Sequence, residues 1–272
     1  MTVMQIMGIL NVTPDSFSDG GQHLKDPVAD ALELIAQGAT IVDIGGQSTR
    51  PGCELATLEE ELERVVPTIE GIRAVNQDIL ISVDTTRSIV AKQAILAGAN
   101  IINDVSGGVE DPKILRVVAN HPEVKYILMH SEGLGSAMRT LDLSNSGGDI
   151  VQYVLMWLKD QLQVVKAAGI TDAQIIVDPG PGFSKATLAM NYPLIAKLEE
   201  FKALGYPVLA AFSRKRFLQS QFDTTPTNTD VATAALSLLS AQKGAWGVRV
   251  HNVPATMQAL GVLKEFNDES AI

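Results

Sequence analysis

The chain predicts an α/β fold, a single (β/α)8 TIM barrel over residues 1–272 with extended loops after its first and second strands. Three observations carry that expectation. Eight short apolar runs recur, helix-length amphipathic stretches separate them, and nearly every run ends in a polar residue able to bind a ligand. Such alternation implies a parallel sheet covered on both faces, and eight units suggest closure into a barrel. The C-terminal ends of barrel strands form one rim, where chemistry is done, so the fold also supplies candidate site residues.

The first strand, Gln5–Leu10, runs into Asn11 and then into a segment to Gly21 too rich in turn formers for regular structure. A helix over Pro27–Gln37 follows, capped by Asp26 and ended by Gly38. Strand two, Ala39–Val42, leads through Asp43 to the loop Gly45–Gly52. Thr57–Val75 starts with a capping box, Thr57 and Glu60, and Pro67 should kink or interrupt it. Ile79–Val83 into Asp84 is strand three, followed by a helix over Arg87–Leu96. Ala99–Ile102 into Asn103 is strand four, followed by a helix over Pro112–Asn120. Tyr126–Met129 into His130 is strand five. The polar stretch Ser131–Gly148 then predicts an excursion on the rim, before a helix over Ile150–Ala168. Gln174–Val177 into Asp178 opens the turn to Lys185, and a helix lies around Tyr192–Leu204. Val208–Phe212 into Ser213, a helix over Asn228–Gln242, Ala245–Val250 into His251 and a helix over Val253–Phe266 complete the set.

No linker rich in Pro, Gly or Ser and no charge block divides the chain, and 46% hydrophobic residues suffice for a sizeable core. A formal net charge of −10 argues against nucleic acid and anionic membranes as partners. An anionic substrate would need locally placed cations. The single cysteine, Cys53, excludes an intramolecular disulfide and fits a reducing compartment. Met1–Leu10 lacks the features of a signal peptide, and no apolar stretch is long enough to span a bilayer, so the expected location is cytoplasmic.

One strand-end carboxylate or amide can simply cap the next helix. Asn11, Asp84, Asn103 and Asp178, however, come from four strands and point to one rim. Four independent caps would not require that common height. The cations form a second group: Arg50 in a glycine-rich loop, Lys215 after strand seven, and Arg249 and His251 at the end of strand eight. Alternation puts Arg249 and His251 on one side of the sheet, where the charge is costly unless both meet an anion or solvent, the plainer alternative being an Arg paired to a neighbouring helix's Glu. Phosphate sites near strands seven and eight are common in such barrels, which favours an anion. Phe17 and Phe183 are either packing plugs or a clamp for a flat aromatic ligand.

The motifs Asn11-Val-Thr-Pro-Asp-Ser-Phe-Ser-Asp-Gly-Gly, Asp43-Ile-Gly-Gly-Gln-Ser-Thr-Arg-Pro-Gly, Ile101-Ile-Asn-Asp-Val-Ser-Gly-Gly, Asp178-Pro-Gly-Pro-Gly-Phe, Ser213-Arg-Lys and Arg249-Val-His resemble those of the dihydropteroate synthase family, in the family's order and across nearly the whole chain. The resemblance implies a transferase of folate biosynthesis that joins 6-hydroxymethyl-7,8-dihydropterin diphosphate to p-aminobenzoate. It implies that Asp84, Asn103, Met129, Asp178 and Lys215 hold the pterin. Asn11, Arg50, Arg249 and His251 would surround the diphosphate and its Mg2+, with Asn11 the protein's metal ligand. Phe17, Asp19, Thr49, Arg50 and Pro51 would belong to two closing loops. Phe183, Pro51 and Lys215 would line the p-aminobenzoate pocket, with sulfonamides as mimics. Catalysis would rest on Asp84, Asp178, Lys215, Arg249 and His251, in a homodimer.

Chemistry accounts for those residue types. A pterin's 2-amino and N3–H groups are adjacent donors suited to one carboxylate, Asp178, while its acceptors suit Lys215 and Asn103. Loss of diphosphate leaves a cation that Asp84 and Asp178 tolerate, and Arg, His and magnesium stabilise the departing charge. The arylamine attacks, so no protein nucleophile is needed, and loop closure would keep water out. The chain departs from the family pattern at Gln47 (usually Glu), at Asn252 (usually Asp), at Pro181 and Ser184, and most at Met129-His-Ser-Glu-Gly, usually Met-His-Met, with the stretch after it. The competing readings are a non-catalytic pterin-binding paralogue and a pterin-dependent methyltransferase. The latter has no use for the first two loops or for Arg249 and His251.

Overall fold

Eight parallel strands make one sheet in the order β6-β5-β4-β3-β2-β1-β8-β7. They are β1 Gln5–Asn11, β2 Ile41–Gly45, β3 Leu80–Asp84, β4 Ile101–Asp104, β5 Lys125–Met129, β6 Ile175–Asp178, β7 Leu209–Ala210 and β8 Gly247–Val250. A parallel bridge from Val177 to Val208 joins β6 to β7 and brings the ring to near closure. This is the predicted TIM barrel. The computed structural model describes residues 4–12, 26–47, 56–133, 139 and 141–269. The loops after β1 and β2 lie outside the described residues.

The helices that cover the barrel are α1 Pro27–Ala36, α2 Leu58–Val75, α3 Ser88–Ala97, α4 Lys113–Ala119, α5 Ile150–Ala167, α6 Leu188–Ala196, α7 Leu198–Lys202, α8 Arg216–Phe222, α9 Asp230–Gln242 and α10 Val253–Glu269. Local chemistry sets several ends. Asp26 accepts from the Val28 N–H at 2.9 Å, ahead of Pro27. Thr57 and Glu60 form the reciprocal capping box, at 2.8 and 3.2 Å. Gly98 closes α3 in the left-handed conformation, φ 114°.

Three expectations need correction. Of the kink or interruption expected at Pro67, the interruption does not occur, and α2 runs on to Val75. The helix expected around Tyr192–Leu204 is two helices, α6 and α7, broken at Lys197 (φ −112°, ψ 33°). α8 was not anticipated: Arg216–Phe222 is seven residues long and lacks a side-chain cap. The predicted excursion Ser131–Gly148 is partly anchored, since Leu141 is buried in the core and Ser144–Ser146 forms a 3-10 turn.

The apolar interior has two compartments. The larger lies between sheet and helices, with residues such as Ile44, Ile69, Val83, Leu128 and Leu158. The smaller fills the lumen: Met7, Ile41, Ile101, Ile127, Ile176 and Leu209. Period-2 alternation then sends the residues two positions further along each strand into the same lumen, one layer nearer the rim. That layer holds the candidate site.

Candidate active site

Strand register sets the site's first row. Asn11 pairs with Gly45, Gly45 with Asp84, and Asp84 with Asn103, across four adjacent strands. A Cβ at Gly45 would sit in ordinary contact with its neighbours, 3.6 Å from Asn11 Oδ1 and 4.0 Å from Asp84 Cβ, so the glycine leaves a small gap between them. Across the mouth Met129 pairs with Asp178. The predicted strand-end residues therefore converge on one rim.

Arg249 crosses the lumen to two buried acids. Its Nε donates to Asp43 Oδ2 at 2.6 Å and its Nη2 to Asp84 Oδ2 at 2.8 Å. Asn103 Nδ2 reaches the same Asp43 oxygen at 3.5 Å. Burial alone would lower the Arg249 pKa, but Asp43 and Asp84 hold it above its ordinary value. Burial raises Asp84 to about 7, against the pull of Arg249 and with Asp43 adding to the rise. Oδ1 of Asp43 and Oδ1 of Asp84 are both buried without a hydrogen-bond partner among the described residues. Two uncompensated carboxylate oxygens make this an expensive arrangement for the folded protein alone. Asp43 stands among the sequence's strand ends but had no assigned role. Its partner Arg249 lies 206 positions away, and nothing local announces the pair.

Asp178 forms the opposite wall. Its Oδ1 accepts from the Gly180 N–H at 2.7 Å. Burial raises its pKa to about 6, opposed by that hydrogen bond and by Lys215, Lys185 and Arg249. The Lys215 ammonium stands 4.0 Å from the centre of the Phe183 ring, a cation–π contact. Burial and Arg249 bring Lys215 down to about 8, while Asp178 and Asp84 act to raise it. Phe183 packs with Val105 and Met129 in a small apolar cluster at the mouth. His251 closes the circuit: its Nδ1 meets Ser213 Oγ at 2.9 Å, and its backbone N–H donates to that oxygen at 3.1 Å. Of the other predicted residues, Asn11 is exposed at the rim. Phe17, Asp19, Thr49, Arg50 and Pro51 lie outside the described residues.

The turn after β6 hides a residue with no legible sequence signal. Lys185 is 2% exposed, and its ammonium has three close acceptors: His130 Nδ1 at 2.8 Å and the carbonyls of Gly180 and Phe183, each at 2.9 Å. Burial lowers Lys185 to about 7, opposed by Asp178. Burial and the neighbouring Lys185 charge keep His130 well below the ordinary histidine range, so its Nδ1 serves as the acceptor. A side chain at residue 180 would collide with the His130 carbonyl oxygen, and φ is +66° there, so the position needs glycine.

Some departures from the family pattern have structural reasons. Asn252 Nδ2 donates to Asp230 Oδ2 at 3.0 Å, and Asp230 also holds Arg214 in a two-point ion pair at 2.8 Å. An ionised aspartate at 252 could not donate. Nothing among the described contacts explains Gln47, whose Oε1 is buried without a partner there.

A mouth of this kind offers a buried carboxylate, Asp178, for a donor-rich heterocycle, cations for a departing anion and an apolar shelf for an aromatic ring. Comparison with known proteins agrees. The family model described as "Pterin binding enzyme" matches residues 7–251. A curated dihydropteroate synthase of Synechocystis is 44% identical over 256 residues, 93% of this chain and 86% of that protein. The dihydropteroate synthase of Xanthomonas albilineans, solved with 4-aminobenzoic acid, superimposes with a TM-score of 0.87 at 40% identity, covering 99% and 94% of the two chains. That of Yersinia pestis, solved with a sulfonamide drug complex, gives 0.86 at 34% identity, covering 97% and 94%.

Proposed function

This chain belongs to the pterin-binding enzyme family, and we propose from that membership how its mouth carries out the reaction of a dihydropteroate synthase. The activity is a transfer: the bond between the pterin's exocyclic methylene and the diphosphate oxygen breaks, and the p-aminobenzoate nitrogen takes its place. One amine proton is released. The observation that carries the residue assignment is geometric: Arg249 holds Asp84 on one side of the mouth, and across it the turn that Asp178 opens carries Phe183 against the Lys215 ammonium.

Asp178 receives the pterin's adjacent 2-amino and N3–H donors on the side not committed to Gly180, and Asn103 and Lys215 meet its acceptors. Met129 packs against the ring face. As diphosphate leaves, the ring takes up positive charge, which Asp84 and Asp178 accommodate. Arg249 has Nη1 without a partner among the described residues, and with His251 it faces the leaving group. Phe183 and Lys215 form the wall for p-aminobenzoate, the wall a sulfonamide would also use. Asn11, Arg50, Phe17, Asp19, Thr49 and Pro51 complete the diphosphate and loop contacts in this reading.

Magnesium fits the donors present only as an ion carried mainly by phosphate oxygens. Asn11 offers one neutral oxygen at the rim, and among the described residues no group of three or more His, Cys, Asp or Glu side chains is placed to cage a metal. Bound there, the ion would neutralise charge on the leaving group. The assembly we propose is a homodimer. Exposed Val231, Ala235 and Leu239 recur every four residues along α9, and exposed Val262 and Phe266 are spaced alike on the adjacent α10. No helix among the described residues is long and apolar enough to cross a membrane, and the proposed place of action is the cytoplasm.

The test is diphosphate release by the purified protein with magnesium. Release should require both substrates and fall when a sulfonamide competes with p-aminobenzoate. Tight binding of the pterin diphosphate with no turnover would reassign the chain to a binding paralogue. Unchanged turnover after Lys215→Ala would overturn the pterin site.

A further inference from the structure

Two of the chain's departures from the family pattern, Ser184 and the Ser131–Glu132 segment, are 52 positions apart in sequence and touch in space. Ser184 Oγ accepts from the Glu132 backbone N–H at 3.0 Å and donates to the Glu132 carbonyl at 3.1 Å. The Glu132 carboxylate in turn accepts from the Tyr153 hydroxyl on α5. Ser184 sits at φ +57°, a conformation that costs a non-glycine residue energy. The hydroxyl's two backbone bonds offset that cost. Next to it, Lys185 ties His130 to the Gly180 and Phe183 carbonyls. On the far side, Gly182 N–H donates to Asn191 Oδ1 at 2.6 Å, and the Asn191 amide returns to the Lys185 carbonyl at 2.8 Å.

These bonds surround one side chain. Phe183 lies between the residues that make them, with its carbonyl held by Lys185 and its ring under the Lys215 ammonium. We propose that Ser184 and Lys185 are positioning residues for the arylamine side of the site. They latch the 179–185 turn to the end of β5, so that Phe183 is fixed before p-aminobenzoate arrives. The proposal rests on the functional reading above and deepens it: the latch sets affinity for the second substrate, not the first. The Ser184 hydroxyl bonds to Glu132 at the end of β5. Lys185, by contrast, also lies near enough to Asp178 to feel its charge, so the separation of the two substrates is read from Ser184. A positioned aromatic wall lowers the ordering cost of binding, so its loss appears in the affinity for the ligand it contacts.

Ser184→Ala removes the two hydroxyl bonds to Glu132, and with them the contacts that offset the strained φ at this position. Its KM for p-aminobenzoate should rise about fivefold, the size of one net hydrogen bond, with kcat and the KM for pterin diphosphate within about twofold of the parent. Lys185→Met, which leaves His130 Nδ1 and the Phe183 carbonyl without the donor they have here while Gly180 keeps the Phe183 N–H, should raise the same KM by more than about tenfold. Circular dichroism and a cooperative thermal melt check that each variant is folded, and equilibrium binding of pterin diphosphate alone reads the first substrate's site. If Lys185→Met does not fold, Ser184→Ala decides. A p-aminobenzoate KM unchanged in Ser184→Ala overturns the proposal, and so does a parallel loss of pterin binding, which would mean general packing. A parent protein that fails to release diphosphate would instead remove the functional reading itself.

Discussion

Two layers of the same lumen, two residues apart along the same strands, have opposite chemistry. In the lower, Met7, Ile41, Ile101, Ile127, Ile176 and Leu209 pack together. In the upper, Ile41 gives way to Asp43, Ile101 to Asn103, Ile127 to Met129 and Ile176 to Asp178, and Arg249 reaches across to Asp43 and Asp84. Among the described residues the lower layer also holds Ser82, level with Ile101 and with no hydrogen-bond partner for its Oγ there. The upper leaves Oδ1 of Asp43 and of Asp84 without a partner among the described residues. The strand geometry is common to both, so the difference lies in what each layer faces. One is closed by its neighbours and stabilises the barrel; the other spends that stability on a polarised mouth.

Asp178→Asn should break the contrast most strongly. An amide can still accept from Gly180 but cannot accept two donors from a pterin with a full negative charge, so turnover should fall on the order of 1,000-fold. Stability should move the other way. The folded pKa of Asp178, about 6, lies above the usual aspartate value. The folded state therefore binds the proton more readily than the unfolded one, and ionisation costs stability as pH rises toward 6. The variant should melt a few degrees higher at pH 8, with the gain shrinking as pH falls below 6. Thermal melts at pH 5 and pH 8 check it; equal or lower melting at pH 8 would mean the charge is compensated in the free protein.

Arg249→Met should lower kcat/KM about 100-fold and also destabilise by about 3 kcal/mol, because it strands the Asp43 and Asp84 carboxylates. Adding Asp43→Asn to that variant should recover much of the stability and none of the turnover. Recovery of both would reduce Arg249 to a structural counter-ion. In the lower layer the pattern reverses. Ile127→Ala should cost about 3 kcal/mol in urea unfolding while turnover stays within about twofold at temperatures where the variant is folded.

The barrel was legible because its evidence is local. Apolar runs punctuated by Gly, Pro and capping residues place each strand within a few positions, and the Thr57–Glu60 box and the Asp26 cap form as written. α8 escaped because seven residues after Lys215 carry neither a cap nor a full apolar period. The site divides the same way. Strand-end position revealed Asp84, Asn103 and Asp178, since any barrel sends such residues to the rim. What they pair with was not readable, because Asp43 and Arg249, or Ser184 and Glu132, meet only once the ring is closed. The burial of Lys185 is the extreme case: a lysine after a glycine-rich turn reads as exposed until its three acceptors are in place.

The smallest effect, and the finest probe of the upper layer, is the pH profile. Asp178 titrates at about 6 and Asp84 at about 7, and both act as carboxylates in the proposed mechanism. Lys215 titrates at about 8 and acts as an ammonium. For the free enzyme, kcat/KM should therefore rise through pH 6–7, peak between 7 and 8, and fall above 8, by about two- to fivefold over the first unit on either side. The acid limb belongs to the carboxylates as a coupled set, not to one of them. Lys215→Arg separates the limbs, because a guanidinium stays charged where the lysine does not. Its maximum should be lower, since an arginine does not place a point charge over the Phe183 ring as the lysine does. The alkaline decline near 8 should nonetheless vanish. A decline that persists unchanged in that variant would assign the basic limb to another group, and Lys215 would then have to hold the pterin without its charge.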